Sequence, residues 1–170
     1  MKFVLLKDIY ILMNTYIKKY RHASNGLTLV ELMVIIALKS ILIAVSIPSY
    51  TAYIERAEYD KAIKQIRVMA LIIDAHAFAN KGVFPANLAE VGLDSERDAW
   101  GNAYGYLNIA SANGNGQKRK DRNLVPINSD YDLYSSGPDG RSVSPLTARP
   151  SRDDIIRANN GRFVGVAEDY

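Results

Sequence analysis

Cysteine is absent from this chain of 170 residues, and histidine occurs only twice, at His22 and His76. The lack of thiols excludes disulfide bonds, thiolate metal sites and cysteine catalysis. Two histidines are too few for a metal site built mainly from imidazoles. No cluster of side chains typical of catalysis stands out elsewhere, so the sequence predicts a protein that is not an enzyme.

Most of the chain carries no net positive charge. The formal net charge is +3, but residues 1–26 alone hold five lysines and arginines against one aspartate. That segment carries a net charge of +4, which leaves −1 for the remaining residues. Removal of the segment would remove the basic character of the protein, so composition gives no support for nucleic-acid binding.

One long hydrophobic run follows the basic segment. The residues from Leu27 to Ile47 read LTLVELMVIIALKSILIAVSI, and at about 1.5 Å per residue they span roughly the 30 Å hydrocarbon core of a bilayer as a helix. The positive charge before this run predicts a cytoplasmic N-terminus, with everything after Pro48 on the outer side. Two charged residues, Glu31 and Lys39, interrupt the run, at a cost of about 2.5–3.5 kcal/mol each near the bilayer centre.

An amphipathic pattern continues after Pro48, which is expected to kink or loosen the helix locally. Apolar residues recur at spacings of three and four and share one face, namely Ile63, Ile66, Ala70, Ile73 and Ala77. No glycine or proline interrupts the pattern before Gly82. The sequence predicts one helix of about 50 residues from Leu27, whose outer half packs its apolar face on a C-terminal domain.

Turn-forming residues dominate the C-terminal part of the chain, with short apolar segments between them. We expect these segments to form strands of a small antiparallel sheet, at 104–109, 123–127 and 131–134. Other expectations are two helical turns at 86–93, a charged hairpin tip or loop at 117–122, and a helical turn at 152–158 in an otherwise irregular C-terminal region.

The predicted fold class is therefore α+β, with a long N-terminal helix packed on a small antiparallel sheet and followed by a C-terminal loop region. The predicted domain bounds are a leader at 1–26, a membrane-spanning helix half at 27–48, an amphipathic helix half at 49–82 and a globular domain at 83–170.

The segment Gly26-Leu27-Thr28-Leu29-Val30-Glu31-Leu32 closely resembles the processing site of type IV pilins and type II secretion pseudopilins. In that family the prepilin peptidase cuts after the glycine and methylates the new N-terminal amine. The resemblance implies cleavage between Gly26 and Leu27 and N-methylation of Leu27, and it extends through the apolar run to Pro48. Leucine at position 27 departs from the phenylalanine that is usual there, and Lys39 is foreign to the family's apolar run.

The resemblance also implies an assembly role for Glu31. An acid inside an apolar segment needs a cationic partner, and in the family this acid pairs with the methylated amine of the neighbouring subunit. The alternative is that Glu31, near the end of the span, reaches the lipid headgroups. Lys39 either reaches the headgroups in the same way or meets an acid on another subunit.

The segment Asp98-Ala99-Trp100-Gly101-Asn102-Ala103-Tyr104 resembles one carried by the major pseudopilins of type II secretion, with alanine in place of both prolines of that pattern. We expect a structural role, in which Trp100 and Tyr104 pack the sheet against the helix and the Gly-Asn pair turns the chain. Ligand binding by Trp100 is the alternative.

The stretch 132–140 resembles the one that opens a calcium-binding loop in the same pseudopilins. The resemblance implies a calcium ion bound by the carboxylates of Asp139, Asp153 and Asp154 and by the backbone carbonyl of Ser136. The alternative is a Pro-Asp-Gly turn, followed by acids that cap a helix and pair with nearby arginines.

Together these resemblances imply a subunit similar to the major pseudopilin of type II secretion. It would be anchored in the bacterial inner membrane by a single span and would form a periplasmic helical homo-oligomer that promotes protein export. Its expected partners are the prepilin peptidase, an inner-membrane assembly platform and minor pseudopilins. The alternative is a type IV pilin or minor pilin for adhesion, motility or DNA uptake, and a third possibility is a membrane-anchored enzyme or binding protein.

Overall fold

The computed structural model describes residues Gly26–Tyr170, so predictions that concern residues 1–25 of the leader lie outside the described residues. The described chain forms one long helix and a four-stranded antiparallel sheet, which confirms the predicted α+β architecture. The chain divides into two compact units, one ending at Ile47 and the other starting at Pro48. The elements are α1 (Leu29–Ala79), β1 (Gly105–Asn108), β2 (Tyr131–Ser135), β3 (Ile155–Ala158) and β4 (Phe163–Val166).

In the first unit, α1 exposes its apolar side chains. Leu29 is 73% exposed and Leu42 is 67% exposed, and no residue in the most apolar stretch of this helix is buried. Within the described residues, α1 is the one helix long and apolar enough to cross a membrane. A large exposed apolar surface is costly in water, so this part of α1 is suited to lipid or to other helices.

Two serines in the apolar stretch satisfy their hydroxyl groups within the helix. The hydroxyl of Ser40 donates to the carbonyl of Ile36, and that of Ser46 donates to the carbonyl of Leu42, each at 2.7 Å. Such back-bonding lets a polar side chain lie in an apolar segment without an outside partner. The helix continues through Pro48.

In the second unit, α1 packs one face on the sheet. The residues buried on this face are Ala62, Ile66, Met69, Ile73 and Ala77. All of them except Ala77 belong to one hydrophobic cluster with residues of β2 and β3, including Tyr131, Leu133 and Ile155. Each fully buried isoleucine contributes roughly 2–3 kcal/mol to this packing. The predicted face is correct at Ile66, Ile73 and Ala77, while Ile63 and Ala70 lie at its margin.

The sheet has the strand order β1-β2-β3-β4, with all neighbours antiparallel. Because successive side chains of a strand point to opposite faces, Ile155 joins the cluster under the helix and Ile156 joins a second cluster on the other side. The other buried members of that second cluster are Ile127, Leu146, Ala158 and Ala167. Strand β3 is therefore covered on both faces.

Three predictions for the C-terminal part were wrong. Residues 123–127 do not form a strand, since Pro126 has no N–H to donate to a ladder. Residues 152–158 are not a helical turn but contain β3, and β4 follows in the region that was expected to be irregular. Residues 86–93 hold a single 3₁₀ turn at Leu88–Val91.

Three tyrosines, of which Tyr104 and Tyr131 are buried and Tyr106 is partly buried, predict how the second unit responds to alkali. Burial raises the pKa of Tyr104, Tyr106 and Tyr131 above the ordinary value. Each hydroxyl donates inside the protein, to Gln65 (3.0 Å) in the case of Tyr104 and to the carbonyl of Pro85 (2.8 Å) in the case of Tyr106.

Since the folded-state pKa of each tyrosine exceeds the unfolded value of about 10, their stabilising effect is complete below that pH and is lost as pH rises towards the folded pKa values. We expect the absorbance of tyrosinate to rise at the same pH at which the second unit unfolds. The fluorescence of Trp100 monitors the unfolding. Replacing Tyr131 with Phe should make the loss of stability above pH 10 less steep. Ionisation of these tyrosines in a chain that stays folded would contradict the prediction.

Candidate functional site

The predicted cleavage site lies just before α1. Residues Gly26, Leu27 and Thr28 have no regular secondary structure and are exposed. The helix begins at Leu29. The peptide bond between Gly26 and Leu27 is therefore outside the helix and open to solvent.

Glu31 takes part in a helix cap that the sequence analysis missed. The backbone N–H and the hydroxyl of Thr28 both donate to Oε2 of Glu31, at 3.2 Å each, and the N–H of Glu31 donates to Oγ1 of Thr28 at 3.2 Å. This reciprocal arrangement is a capping box, and its Thr-x-x-Glu pattern was readable in the sequence. A negative charge in the first turn is also favoured by the helix dipole. Lys39, two turns further along, is exposed.

The segment from Asp98 to Tyr104 is a turn organised by a buried carboxylate. Oδ1 of Asp98 accepts hydrogen bonds from the N–H groups of Trp100 (3.0 Å) and Asn102 (2.7 Å). Gly101 has a φ of +90°, which other residues rarely adopt. Asp98 and Gly101 thus each have a local physical reason, and Asp98 itself is only 4% exposed.

This turn is bonded to the second segment that the sequence analysis singled out. The hydroxyl of Ser135, at the end of β2, donates to Oδ2 of Asp98 at 2.6 Å. The side-chain amide of Asn102 donates to the carbonyl of Gly137 at 3.0 Å. Two segments more than thirty residues apart therefore form one hydrogen-bonded structure, which their sequences do not reveal.

Trp100 and Tyr104 contact α1. The indole N–H of Trp100 donates to Glu58 at 3.1 Å, and its ring meets that of Tyr59 edge-on, with the centroids 5.1 Å apart. The hydroxyl of Tyr104 donates to Gln65 at 3.0 Å. Both aromatic residues thus belong to the contact between the helix and the rest of the second unit, as expected from the sequence.

The four predicted calcium ligands lie in one loop but do not converge. Asp139 is exposed, and its N–H reaches Oδ2 of Asp153 at 3.4 Å. Gly137 packs so closely on Asp153 that a Cβ there would come within 2.4 Å of the Asp153 carbonyl oxygen. Within residues 26–170, no group of three or more histidine, cysteine, aspartate or glutamate side chains is placed to hold a metal ion. Ser136, whose carbonyl was the fourth predicted ligand, is half-buried.

Asp154, unlike Asp139 and Asp153, is fully buried. Its carboxylate pairs with the guanidinium of Arg119 and accepts from the hydroxyl of Ser142 at 2.5 Å. Burial raises the pKa of Asp154, and both of these contacts oppose the rise because they stabilise the charged form. In this arrangement the predicted ligand set does not fit a single calcium ion. Calcium binding stays a prediction.

A second buried ion pair joins Arg157 in β3 to Asp130 just before β2, with Nη2 and Oδ2 2.6 Å apart. Its guanidinium lies over the ring of Tyr131, 3.9 Å from the ring centroid. Desolvation lowers the pKa of Arg157, but the hydrogen bonds and charge of Asp130 outweigh that effect and raise it. This pair links β3 to the residue that precedes β2.

Comparison with known proteins bears on the family of the chain. It is 36% identical over 77 residues to a fimbrial protein of Neisseria meningitidis, a match that covers 45% of each protein. It is 31% identical over 77 residues to Fimbrial protein Q of Moraxella bovis, covering 45% of this chain and 47% of that protein. It is 28% identical over 96 residues to the type IV major pilin protein PilA of Myxococcus xanthus, and this match covers 56% of this chain and 42% of that protein.

The chain is similar to type IV pilins. Each of these matches spans less than half the length of the relative concerned. No family model matches the chain. No solved structure matches it. These relatives, together with the long helix on an antiparallel sheet, support a pilin-like structural subunit and do not single out the type II secretion pseudopilins.

Proposed function

We propose that this chain is a structural subunit of a type IV pilus-like filament. The observation that carries the proposal is the similarity to several type IV pilins in a chain whose first helix leaves its apolar stretch exposed. A helix that is apolar on all sides needs either lipid or other helices around it. A membrane-stored subunit that later joins a helical homo-oligomer provides both surroundings in turn.

In this proposal, the prepilin peptidase removes residues 1–26 and methylates the amine of Leu27. The apolar helix from Leu27 to Ile47 anchors the subunit in the bacterial inner membrane, with its N-terminus on the cytoplasmic side. The unit that starts at Pro48 then lies on the outer side. The chain acts as a building block and not as an enzyme.

Mass spectrometry of the full-length protein extracted from membranes tests the processing step. We expect a mature N-terminus at Leu27 carrying one additional methyl group. Replacing Gly26 with Ala should leave the uncleaved precursor, since the peptidase of this family cuts after glycine. A wild-type chain that keeps Met1 in cells with an active prepilin peptidase would contradict the proposal.

A second candidate is a pseudopilus subunit of type II secretion, which works with an assembly platform and minor pseudopilins. The hydrogen bonds from Ser135 to Asp98 and from Asn102 to Gly137 favour it, because they link the two segments that resemble the major pseudopilins. Deleting the gene separates the two candidates. Loss of surface filaments, adhesion, motility or DNA uptake supports the pilus, whereas a selective loss of exported proteins from the medium supports the secretion system.

A further inference from the structure

Arg119 is a buried cation in the second unit, and the proposed filament function does not use it. It lies in the segment predicted as a charged hairpin tip or loop, and it is only 3% exposed. The guanidinium lies over the ring of Tyr134, with Cζ 4.0 Å from the ring centroid. Taking a guanidinium out of water is costly unless its charge is paired and its N–H groups are bonded.

The guanidinium is bonded to two places in the loop that joins β2 to β3. Nη2 pairs with Oδ2 of Asp154 at the end of this loop. Nη1 donates to the hydroxyl of Ser142 at 2.6 Å and to the carbonyl of Val143 at 2.7 Å, near the middle of the loop. Ser142 in turn donates to the carboxylate of Asp154. One cation therefore fixes the middle and the end of the loop to each other.

The backbone of Arg119 is fixed independently of these contacts. Its N–H donates to Oδ2 of Asp132 at 2.8 Å, and its carbonyl accepts from the N–H of Ile127 at 3.1 Å. Asp132 is itself buried and is the second residue of β2. The backbone of Arg119 is therefore already ordered, and only its side chain has to be ordered when the guanidinium binds the loop.

We propose that Arg119 is the cation that closes the segment 137–154, and that this segment folds without a divalent metal ion. The guanidinium already neutralises Asp154, the only fully buried acid of the predicted calcium set. A calcium ion at this carboxylate would add two positive charges beside a buried guanidinium, and the repulsion would be strong in such surroundings. This inference rests on the second unit alone and does not depend on the filament proposal.

The first test compares the full-length protein in detergent with excess calcium and with excess chelator. Trp100, the single tryptophan in the sequence, lies in the second unit and reports its thermal unfolding by fluorescence. We expect the same midpoint in both conditions. A midpoint several degrees higher in calcium than in chelator would overturn the proposal.

The second test removes the cation by replacing Arg119 with Met, which replaces the aliphatic stem of the side chain but lacks the guanidinium, so that the charge of Asp154 is left unpaired. We expect the midpoint to fall by roughly 10 °C, because an uncompensated buried carboxylate is strongly destabilising. The double variant with Asp154→Asn should recover a large part of that loss, and it keeps the test informative if the single variant does not fold.

The matched control is Arg141→Met, which changes an exposed arginine of the same loop and should leave the midpoint nearly unchanged. Equal losses in the Arg119 and Arg141 variants would overturn the assignment. So would a double variant no more stable than Arg119→Met, since the loss would then not arise from the unpaired carboxylate.

Discussion

Replacing Glu31 with Ala is expected to abolish incorporation of the subunit into filaments while leaving removal of the leader largely intact. Under the proposed function, the carboxylate meets the methylated amine of a neighbouring subunit inside an apolar filament core. Deleting one partner of an ion pair in such surroundings leaves the other charge unpaired, at a cost of roughly 3–5 kcal/mol per contact. The readouts are the sheared filament fraction and the N-terminus determined by mass spectrometry.

The capping box requires a control, because Glu31 also orders the first turn of its own helix. Thr28→Ala removes the cap and keeps the carboxylate, so it should cost only about 1 kcal/mol of helix stability and leave assembly close to normal. Glu31→Gln keeps a hydrogen-bond acceptor and loses the charge, so it should fail as Ala does. If Thr28→Ala assembled as poorly as Glu31→Ala, the helix cap and not an intersubunit ion pair would explain the defect.

Replacing Asp98 with Ala is expected to destabilise the second unit by roughly 3–5 kcal/mol. Three donors would lose their acceptor, namely the N–H groups of Trp100 and Asn102 and the hydroxyl of Ser135. The thermal midpoint should fall by about 10 °C. Fluorescence of Trp100 measures this directly, since the indole lies beside the altered turn.

Two variants define the role of the Asp98 carboxylate. Asp98→Asn keeps Oδ1, which accepts both backbone N–H groups, so it should lose markedly less stability than Ala. Asp94→Ala removes an exposed carboxylate a few residues earlier and should change the free energy of unfolding by less than about 0.5 kcal/mol. Similar losses in the Asp94 and Asp98 alanine variants would mean that the buried hydrogen bonds do not hold the turn.

The long helix could be predicted from the sequence because the residues that determine it are close together in the chain. The spacing of Ile66, Ile73 and Ala77, with no glycine before Gly82, specifies both the helix and its buried face. The capping box at Thr28 was equally readable and was missed because Glu31 was considered only for its charge. Strand β2 was predicted from its apolar and aromatic residues for the same local reason.

Strand β3 could not be recognised in this way, because its environment depends on distant residues. Arg157 in the middle of β3 made the segment read as polar, yet its charge is paired with Asp130, 27 residues earlier. The burial of Arg119 could not be predicted for the same reason, since its partner Asp154 lies 35 residues later. A buried charge looks like a surface charge until its partner is known.

The start of α1 has a consequence for the protease that the proposed maturation requires. Peptidases cleave chains held in an extended form, and a helix has to be unwound before its peptide bonds can be presented in this way. Thr28 ends the helix towards the N-terminus, so the bond between Gly26 and Leu27 needs no such unwinding. Under the proposed maturation, the capping box therefore keeps the cleaved bond outside the helix while the residues from Leu29 onwards stay helical.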